Sequence, residues 1–452
     1  MHNSKLSWFK AIMFIIILIF VNKLLIYIIS PAANMSRSTI LEMYSEKKNI
    51  DIVFAGASNS KRIDPYIMDK ELNCNTFDYA FNSQLYTGTY YCLKELFKYH
   101  NPKTVVVTTD INRYIGGEED PKSYMAIVSS LKSIKNKISF YFNSAANGSY
   151  LDRILIWPKY HVNSMKEIPN NVKEKIKSSY RNYPEKIQSE TYNKMYKEGK
   201  AGYMGKGFER LYISNNKKFL DENNLGKMVI KNNDLKDIQY KNIEYFKKII
   251  NLCKENNAEV IFLQTPIPTH SIFNEKNYFK FDEEINRLAK ENGVDYYNYN
   301  LIKPNLFKSK IEYFLDYAHL NAAGSEIFCK SFAEFLKLRS SGEDMEKYFY
   351  TPEEYVDTIN YINNTWFTWE MGKDKIDIKA DSFYGNNIKP EYQFILIDSK
   401  TGKKEVIRDY DKNSNFTLKK PKLSTYKIRV NAREVGNNVE FSRYYEEEFG
   451  KK

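Results

Sequence analysis

Cysteine and histidine are both scarce in this chain. Four cysteines, Cys74, Cys92, Cys253 and Cys329, are spread over 452 residues without a C-x-x-C pair, which argues against a disulfide framework and against a thiolate metal site. Cys92 and Cys253 fall on the apolar stripes of expected helices and read as buried free thiols. Of the five histidines, His2, His100, His161 and His270 show no ligand spacing, so no metal and no cofactor is expected. An internal repeat, a low-complexity tract and a recognisable nucleic-acid module are lacking too. The lysines run along the whole chain rather than clustering, so nucleic acid is not expected as a partner. The glycine-rich segment at residues 199–207 has no strand–loop–helix context. That excludes a phosphate cradle and leaves a flexible loop in a lid or groove wall.

What is present is an ordinary globular composition. Hydrophobic residues make up 42% and charged residues 27%, too apolar for a disordered chain. The length suits two or three domains. A net charge of +12, from 68 basic and 56 acidic residues, fits attraction to anionic lipid headgroups or acidic cell-wall polymers.

The N-terminus is sharper. Residues 11–29 are apolar except for Asn22 and Lys23, and nineteen helical residues nearly match a hydrocarbon core of about 30 Å. Lys5 and Lys10 precede the run, which places the N-terminus in the cytoplasm and all that follows outside. Ser30-Pro31-Ala32-Ala33 is a poor signal-peptide cleavage site. Residues 1–33 therefore read as a cytoplasmic tail and an uncleaved anchor, with Lys23 snorkelling to the interface. The membrane is the first expected partner.

Beyond a short polar helix or linker at 34–48, apolar runs alternate with amphipathic stretches. Strands are expected at 50–55, 77–81, 105–107, 260–263 and 294–297. Helices are expected around 90–97, from 240 to Asn256-Asn257, at 283–291 and at 323–338. This alternation implies an α/β domain with a doubly wound parallel sheet over 34–342, interrupted at 114–237 by an insertion without βα alternation. From 345 to 452 short alternating strands at 375–380, 391–398, 403–410, 415–420 and 425–431 suggest a small β-sandwich of immunoglobulin-like type. Trp366, Phe367 and Trp369 just before them read as core or interdomain packing, with a sugar-stacking platform as the alternative.

Two segments carry candidate chemistry. In Phe54-Ala55-Gly56-Ala57-Ser58-Asn59-Ser60 a serine follows a buried strand, at the carboxyl edge where doubly wound sheets bind ligands. Small neighbours leave its hydroxyl exposed, although such turns are common without function. In Leu315-Asp316-Tyr317-Ala318-His319-Leu320-Asn321 an aspartate and a histidine stand three apart before a helix. The carboxylate can accept from Nδ1 and leave Nε2 to take a serine proton. Alone, the pair also fits a turn with a capping histidine.

Taken together, a serine after the first strand and Asp-x-x-His before the last helix resemble the SGNH (GDSL-type) hydrolase superfamily. Its first block holds the nucleophile, here Gly56-Ala57-Ser58, and its last block is here Asp316-Tyr317-Ala318-His319. The resemblance covers residues 48–340 and implies an SGNH-like fold with Ser58, Asp316 and His319 as triad. Ala57 departs from the usual Gly-Asp-Ser, as in the cell-wall acyl-transfer branches. The oxyanion blocks are blurred: Ser83 stands where the family has glycine, and Asn112 where it has an asparagine donor, with a loop-capping role as the other reading of Asn112. Ser60 is the rival nucleophile, but alternation along the turn would point it elsewhere.

An anchor, an SGNH domain and an appended β-domain resemble the alginate O-acetylation (AlgX/AlgJ-like) and DltD-type families. The resemblance implies transfer of acetyl or another small acyl group through Ser58 to an exopolysaccharide or teichoic-acid-like polymer, with a membrane-bound O-acyltransferase as donor. An esterase acting on an acylated glycan or lipid shares the triad. A non-catalytic glycan-binding or assembly subunit is the reading from another class.

Overall fold

The structure is a computed structural model that describes residues 2–32, 35–145, 149–177, 201–211, 233–275, 277–421 and 425–450. It divides into two compact units: residues 1–212, 237–265 and 287–297, and residues 213–236, 266–286 and 298–452.

The first unit begins with helix α1, His2–Ile29. Its segment Trp8–Ile29 is long and apolar enough to cross a membrane and is almost entirely uncovered by protein. Helix α2 is Met35–Ser45 and leads into strand β1, Ile52–Ala55. Helix α3, Pro65–Leu72, starts on Asp64, whose carboxylate accepts from the N–H of Tyr66 and Ile67, with proline at the first helical position. Strand β2 is Thr76–Asp78, helix α4 Tyr86–Leu96 and strand β3 Thr104–Thr108.

The insertion is helical over its first half. Helix α5 (Ile111–Ile115) leads into it, and it holds α6 (Pro121–Ser130), α7 (Ile134–Ser144), α8 (Tyr150–Ile154) and α9 (Ile168–Ile176). Residues 201–207, expected as a flexible loop, instead form strand β4 (Ala201–Gly205) and the turn to β5 (Phe208–Leu211). Gly199 and Lys200 lie outside the described residues. Helix α10, Tyr240–Glu255, stops where Asn257 turns left-handed at φ 56°, and strand β6 is Glu259–Gln264. After α11 (Thr269–Asn274) and α12 (Tyr278–Glu291) comes strand β7, Asp295–Asn298.

The five strands form one sheet in the order β2-β1-β3-β6-β7, parallel across β2, β1, β3 and β6. Val53, Phe54, Val105, Val106, Val107 and Ile261 are buried, because helices cover both faces of a parallel sheet. Phe246 of α10 stacks on Phe262 with centroids 4.0 Å apart and meets Tyr86 of α4 edge-on at 5.8 Å. Cys92, Cys253 and Cys329 are buried thiols, and Cys74 is half-buried.

In the second unit α13, Ala322–Ser340, and α14, Pro352–Asp357, precede seven antiparallel strands. These are β8 (Ile362–Met371), β9 (Lys375–Tyr384), β10 (Pro390–Asp398), β11 (Lys404–Asp411), β12 (Asn415–Lys419), β13 (Thr425–Glu434) and β14 (Arg443–Gly450). Sheets β11-β10-β13-β14 and β12-β9-β8 bury a common core that includes Ile376, Ile378, Phe394, Ile428 and Val430. The aromatic cluster belongs to β8. Phe367 is in this core, Trp366 packs on Phe383, and Trp369 packs on Phe449 while donating to Glu447.

Candidate active site

Strand β1 runs out at Gly56, and the backbone turns there at φ 151°. A Cβ at this position would sit 2.0 Å from Thr108 Oγ1, so only glycine lets the turn pass the end of β3. The next residues, Ala57-Ser58-Asn59, close into a 3₁₀ turn, Ser60–Arg62, with the Ser60 N–H donating to the Ala57 carbonyl at 3.1 Å. Ser58 is half-buried on this turn. Ser60 is fully buried and donates through Oγ to Asp78 at 3.3 Å. The rival serine thus faces inward, on a 3₁₀ turn rather than the extended turn whose alternation was expected to point it elsewhere. Burial drives the Asp78 carboxyl well above the usual carboxylate range, against the pull of Lys61 and Ser60.

Two neighbouring strands deliver the expected oxyanion residues to the same edge. The Phe81 N–H donates to the Gly56 carbonyl at 3.3 Å, which binds the β2–α4 loop to the serine turn. Ser83, exposed in that loop, holds φ 56°. That is a left-handed conformation in which glycine costs least. After β3, Asn112 is the exposed second residue of α5. The helix is capped by Asp110, which accepts from the Arg113 N–H at 3.3 Å, so the capping role weighed for Asn112 belongs to Asp110.

Asp316 and His319 are brought together within the second unit. His319 Nδ1 lies 3.0 Å from both Asp316 oxygens. The N–H groups of Ala318 and His319 also donate to Oδ1, at 2.8 and 2.9 Å. Burial works to raise the Asp316 carboxyl, but the His319 ring and these two amides outweigh it and hold the group below its usual range. The loop is closed by a bridge between Phe314 and Leu320 and by the Leu315 N–H donating to the His319 carbonyl at 2.9 Å. Asn321 caps α13 at the Gly324 N–H, 3.0 Å. A Cβ at Gly324 would sit 2.1 Å from the Tyr313 carbonyl oxygen. Glycine there therefore lets the helix start directly under the dyad.

Several contributors were missed in the sequence. Lys61 and Arg62, just after the serine, look like surface charges but are buried, and both pair with Glu209 of β5, at 2.9 and 3.1 Å. Lys61 also reaches Asn82 Oδ1 at 3.3 Å, tying the serine turn to the loop of Ser83. Burial would raise the Glu209 carboxyl, yet Lys61 and Arg62 bring it down to about 2. The β4–β5 turn lies on β2: the Asp78 N–H donates to the Lys206 carbonyl at 2.9 Å, and Gly207 (φ 81°) has no room for a Cβ beside the Asp78 carbonyl. Arg113 donates through Nε to the Gln84 carbonyl at 3.1 Å and through Nη1 to the Thr108 carbonyl. Glu119, buried, accepts from the N–H of Leu85 and Gly88 at the start of α4.

His270, which follows the end of β6, is buried in α11, and burial with Arg443 nearby lowers its pKa to about 4. Among the described residues no group of three His, Cys, Asp or Glu side chains could hold a metal ion.

No protein-family model matches the chain, and no curated protein matches it. Solved structures give weak likenesses. A chain from Streptococcus pneumonia, provisionally assigned as a platelet activating factor, is 11% identical at TM-score 0.32, over 67% of this chain and 91% of that one. A provisionally assigned acylhydrolase from Bacteroides fragilis is 9% identical at TM-score 0.30, over 66% and 93%. A two-domain esterase active on acetylated mannans is 8% identical at TM-score 0.26, over 94% and 97%. Scores this low transfer neither a fold nor an activity to this chain.

Proposed function

We propose that the protein carries out serine-based acyl-ester chemistry, with Ser58 as nucleophile, His319 as general base and then acid, and Asp316 as the group that orients the imidazole. The observation that carries this reading is the Asp316–His319 pair. A depressed carboxylate holding Nδ1 fixes the tautomer whose Nε2 accepts a proton. The serine supports it too: Ser58 stands on a glycine-dependent turn at the carboxyl edge of β1, the edge at which doubly wound sheets bind ligands.

In the reaction, Ser58 Oγ attacks the ester carbonyl as its proton passes to His319 Nε2. The resulting oxyanion is held by the Ser83 N–H and the Asn112 side chain. Collapse breaks the ester bond, and the alcohol leaves with the proton from His319. An acceptor hydroxyl then attacks the acyl-Ser58 ester, losing its proton to His319, and collapse breaks the acyl–Oγ bond as His319 returns that proton to Ser58. We take that acceptor to be a hydroxyl of an extracellular or cell-wall polysaccharide, with a membrane-bound O-acyltransferase supplying the acyl group. The apolar helix Trp8–Ile29 and the net charge of +12 are consistent with a site close to an anionic surface. With water as acceptor the same steps make an esterase.

Turnover of p-nitrophenyl acetate by the full chain tests the triad. Activity should vanish in Ser58→Ala and His319→Ala, and unchanged turnover in either variant sinks the assignment. Mass gain on oligosaccharides incubated with an acyl donor distinguishes transfer from hydrolysis.

A further inference from the structure

The insertion carries an unusual amount of exposed apolar surface. On α7, Ile134, Ile138 and Phe142 are 74%, 55% and 56% exposed and stand four residues apart, so they form one stripe of the helix. The Phe142 ring lies 5.8 Å from that of Tyr150, which extends the stripe onto α8, where Leu151 and Ile154 are 68% and 47% exposed. Contiguous apolar surface rimmed by polar groups marks an interaction site.

The same stretch grips the apolar helix α1. Asn22, inside the apolar run, donates to the Ile154 carbonyl at the end of α8, 2.9 Å away. This gives one of that helix's orphan carbonyls a partner. The Val162 N–H donates to the Ile29 carbonyl at 2.9 Å, and Asn171 of α9 donates to the carbonyls of Ile28 and Ser30 at 3.1 and 2.8 Å. Lys175 of α9 donates to the carbonyls of Tyr27 and Ser30. Asn22 precedes Ile29 by seven residues, which at about 1.5 Å each is roughly 10 Å along the helix. With the membrane surface set at Ile29, the end of α8 would meet α1 within the depth to which interfacial amphipathic helices sink, about 5–10 Å. Residues 132–177 carry nine Lys and Arg against three Asp and Glu, the sign that suits anionic headgroups.

We propose that α7, α8 and α9 form a collar around the C-terminal end of α1, embedded in the membrane surface, and that the occupant of its apolar stripe is the anionic phospholipid leaflet that α1 crosses. The first unit is then seated on the bilayer over several helices instead of hanging from one. This assignment is independent of the chemistry at Ser58.

The test uses the full chain, one copy per nanodisc of mixed phosphatidylcholine and phosphatidylglycerol, in a Cys74→Ser background. Single spin labels are placed through Ile138→Cys and Leu151→Cys, with Tyr240→Cys, 82% exposed on α10, as the aqueous control. All three side chains are exposed, so the substitutions leave the core untouched. Labels at 138 and 151 should collide more with oxygen than with a water-soluble nickel chelate, reading about 5–10 Å below the phosphates. The label at 240 should show the reverse. Nickel access at 138 and 151 equal to that at 240 overturns the proposal. Shielding from both reagents also overturns it, because the stripe is then covered by protein.

Discussion

Replacing Glu209 by glutamine should cost about 3 kcal/mol and loosen the serine turn. The side chains of Lys61, Arg62 and Glu209 are 4%, 7% and 6% exposed, so solvent does little to screen them. Removing the carboxylate charge leaves two buried cations facing a neutral amide, and breaking one side of a buried ion pair typically costs about 3–5 kcal/mol. The titration leads to a similar magnitude. A carboxyl brought from its ordinary 4.5 down to about 2 corresponds to about 3 kcal/mol at roughly 1.4 kcal/mol per pH unit. A carboxyl depressed in the folded state contributes stability that is complete above its ordinary pKa and fades as pH falls through the folded value. The gap between wild type and Glu209→Gln should therefore be widest at neutral pH and close between about 4.5 and 2. Hydrogen exchange at residues 58–62 and 201–211 reads this locally, which avoids treating two units as one unfolding transition. A neutral-pH loss under about 1 kcal/mol, or a gap independent of pH, refutes the reasoning. The apolar triple variant K61M/R62L/E209L should regain most of the lost stability.

Three further substitutions probe the site. Asp316→Asn should keep the loop but favour the wrong imidazole tautomer, lowering kcat for ester turnover by about 10⁴; a drop of less than tenfold in stopped-flow assays removes Asp316 from the relay. Gly56→Ala should lose about 2–4 kcal/mol in urea unfolding, from a Cβ set 2.0 Å from Thr108 Oγ1, while Gly117→Ala, whose Cβ meets nothing within 4 Å, should change little. Ser83→Gly relieves a left-handed serine at φ 56°, worth about 1 kcal/mol, and should retain full turnover because the backbone N–H stays in place; a hundredfold fall assigns the role to the hydroxyl instead.

The parallel sheet was readable because its strands are buried on both faces. Continuous runs such as Val105-Val106-Val107 leave little room for a helical stripe. Strand β8 was not, because its first residue, Ile362, is followed by Asn363, Asn364 and Thr365, three polar residues that are nonetheless buried. Strand β14 was missed for a related reason: Glu446-Glu447-Glu448 reads as a solvated charge run, yet pairs along β13 in register with Arg429 opposite Glu446. The helices of the insertion left a local trace that periodicity did not pick up. Asp110, Asp120 and Ser133 each accept from an N–H of the helix that follows, and Pro121 occupies a first helical turn. Capping chemistry announces short helices better than apolar spacing does, since α5 and α8 have only five residues each.

The site divides along the same line between local and distant information. Asp316 and His319 stand three apart and meet through a loop of their own making, so spacing alone suggested the pair. The partner of Lys61 and Arg62 lies 147 residues beyond Arg62, and no periodicity connects them. Yet the physics constrains the answer. Two adjacent cations buried side by side after a strand are best compensated by a carboxylate between them, which offsets both their desolvation and their mutual repulsion. That carboxylate arrives on the hairpin at 201–211, whose turn is also hydrogen-bonded to Asp78, the acceptor of Ser60. Deleting the hairpin would therefore strand two charges beneath the serine turn and uncover Asp78. The insertion that interrupts the sheet is thus part of what holds Ser58 in place.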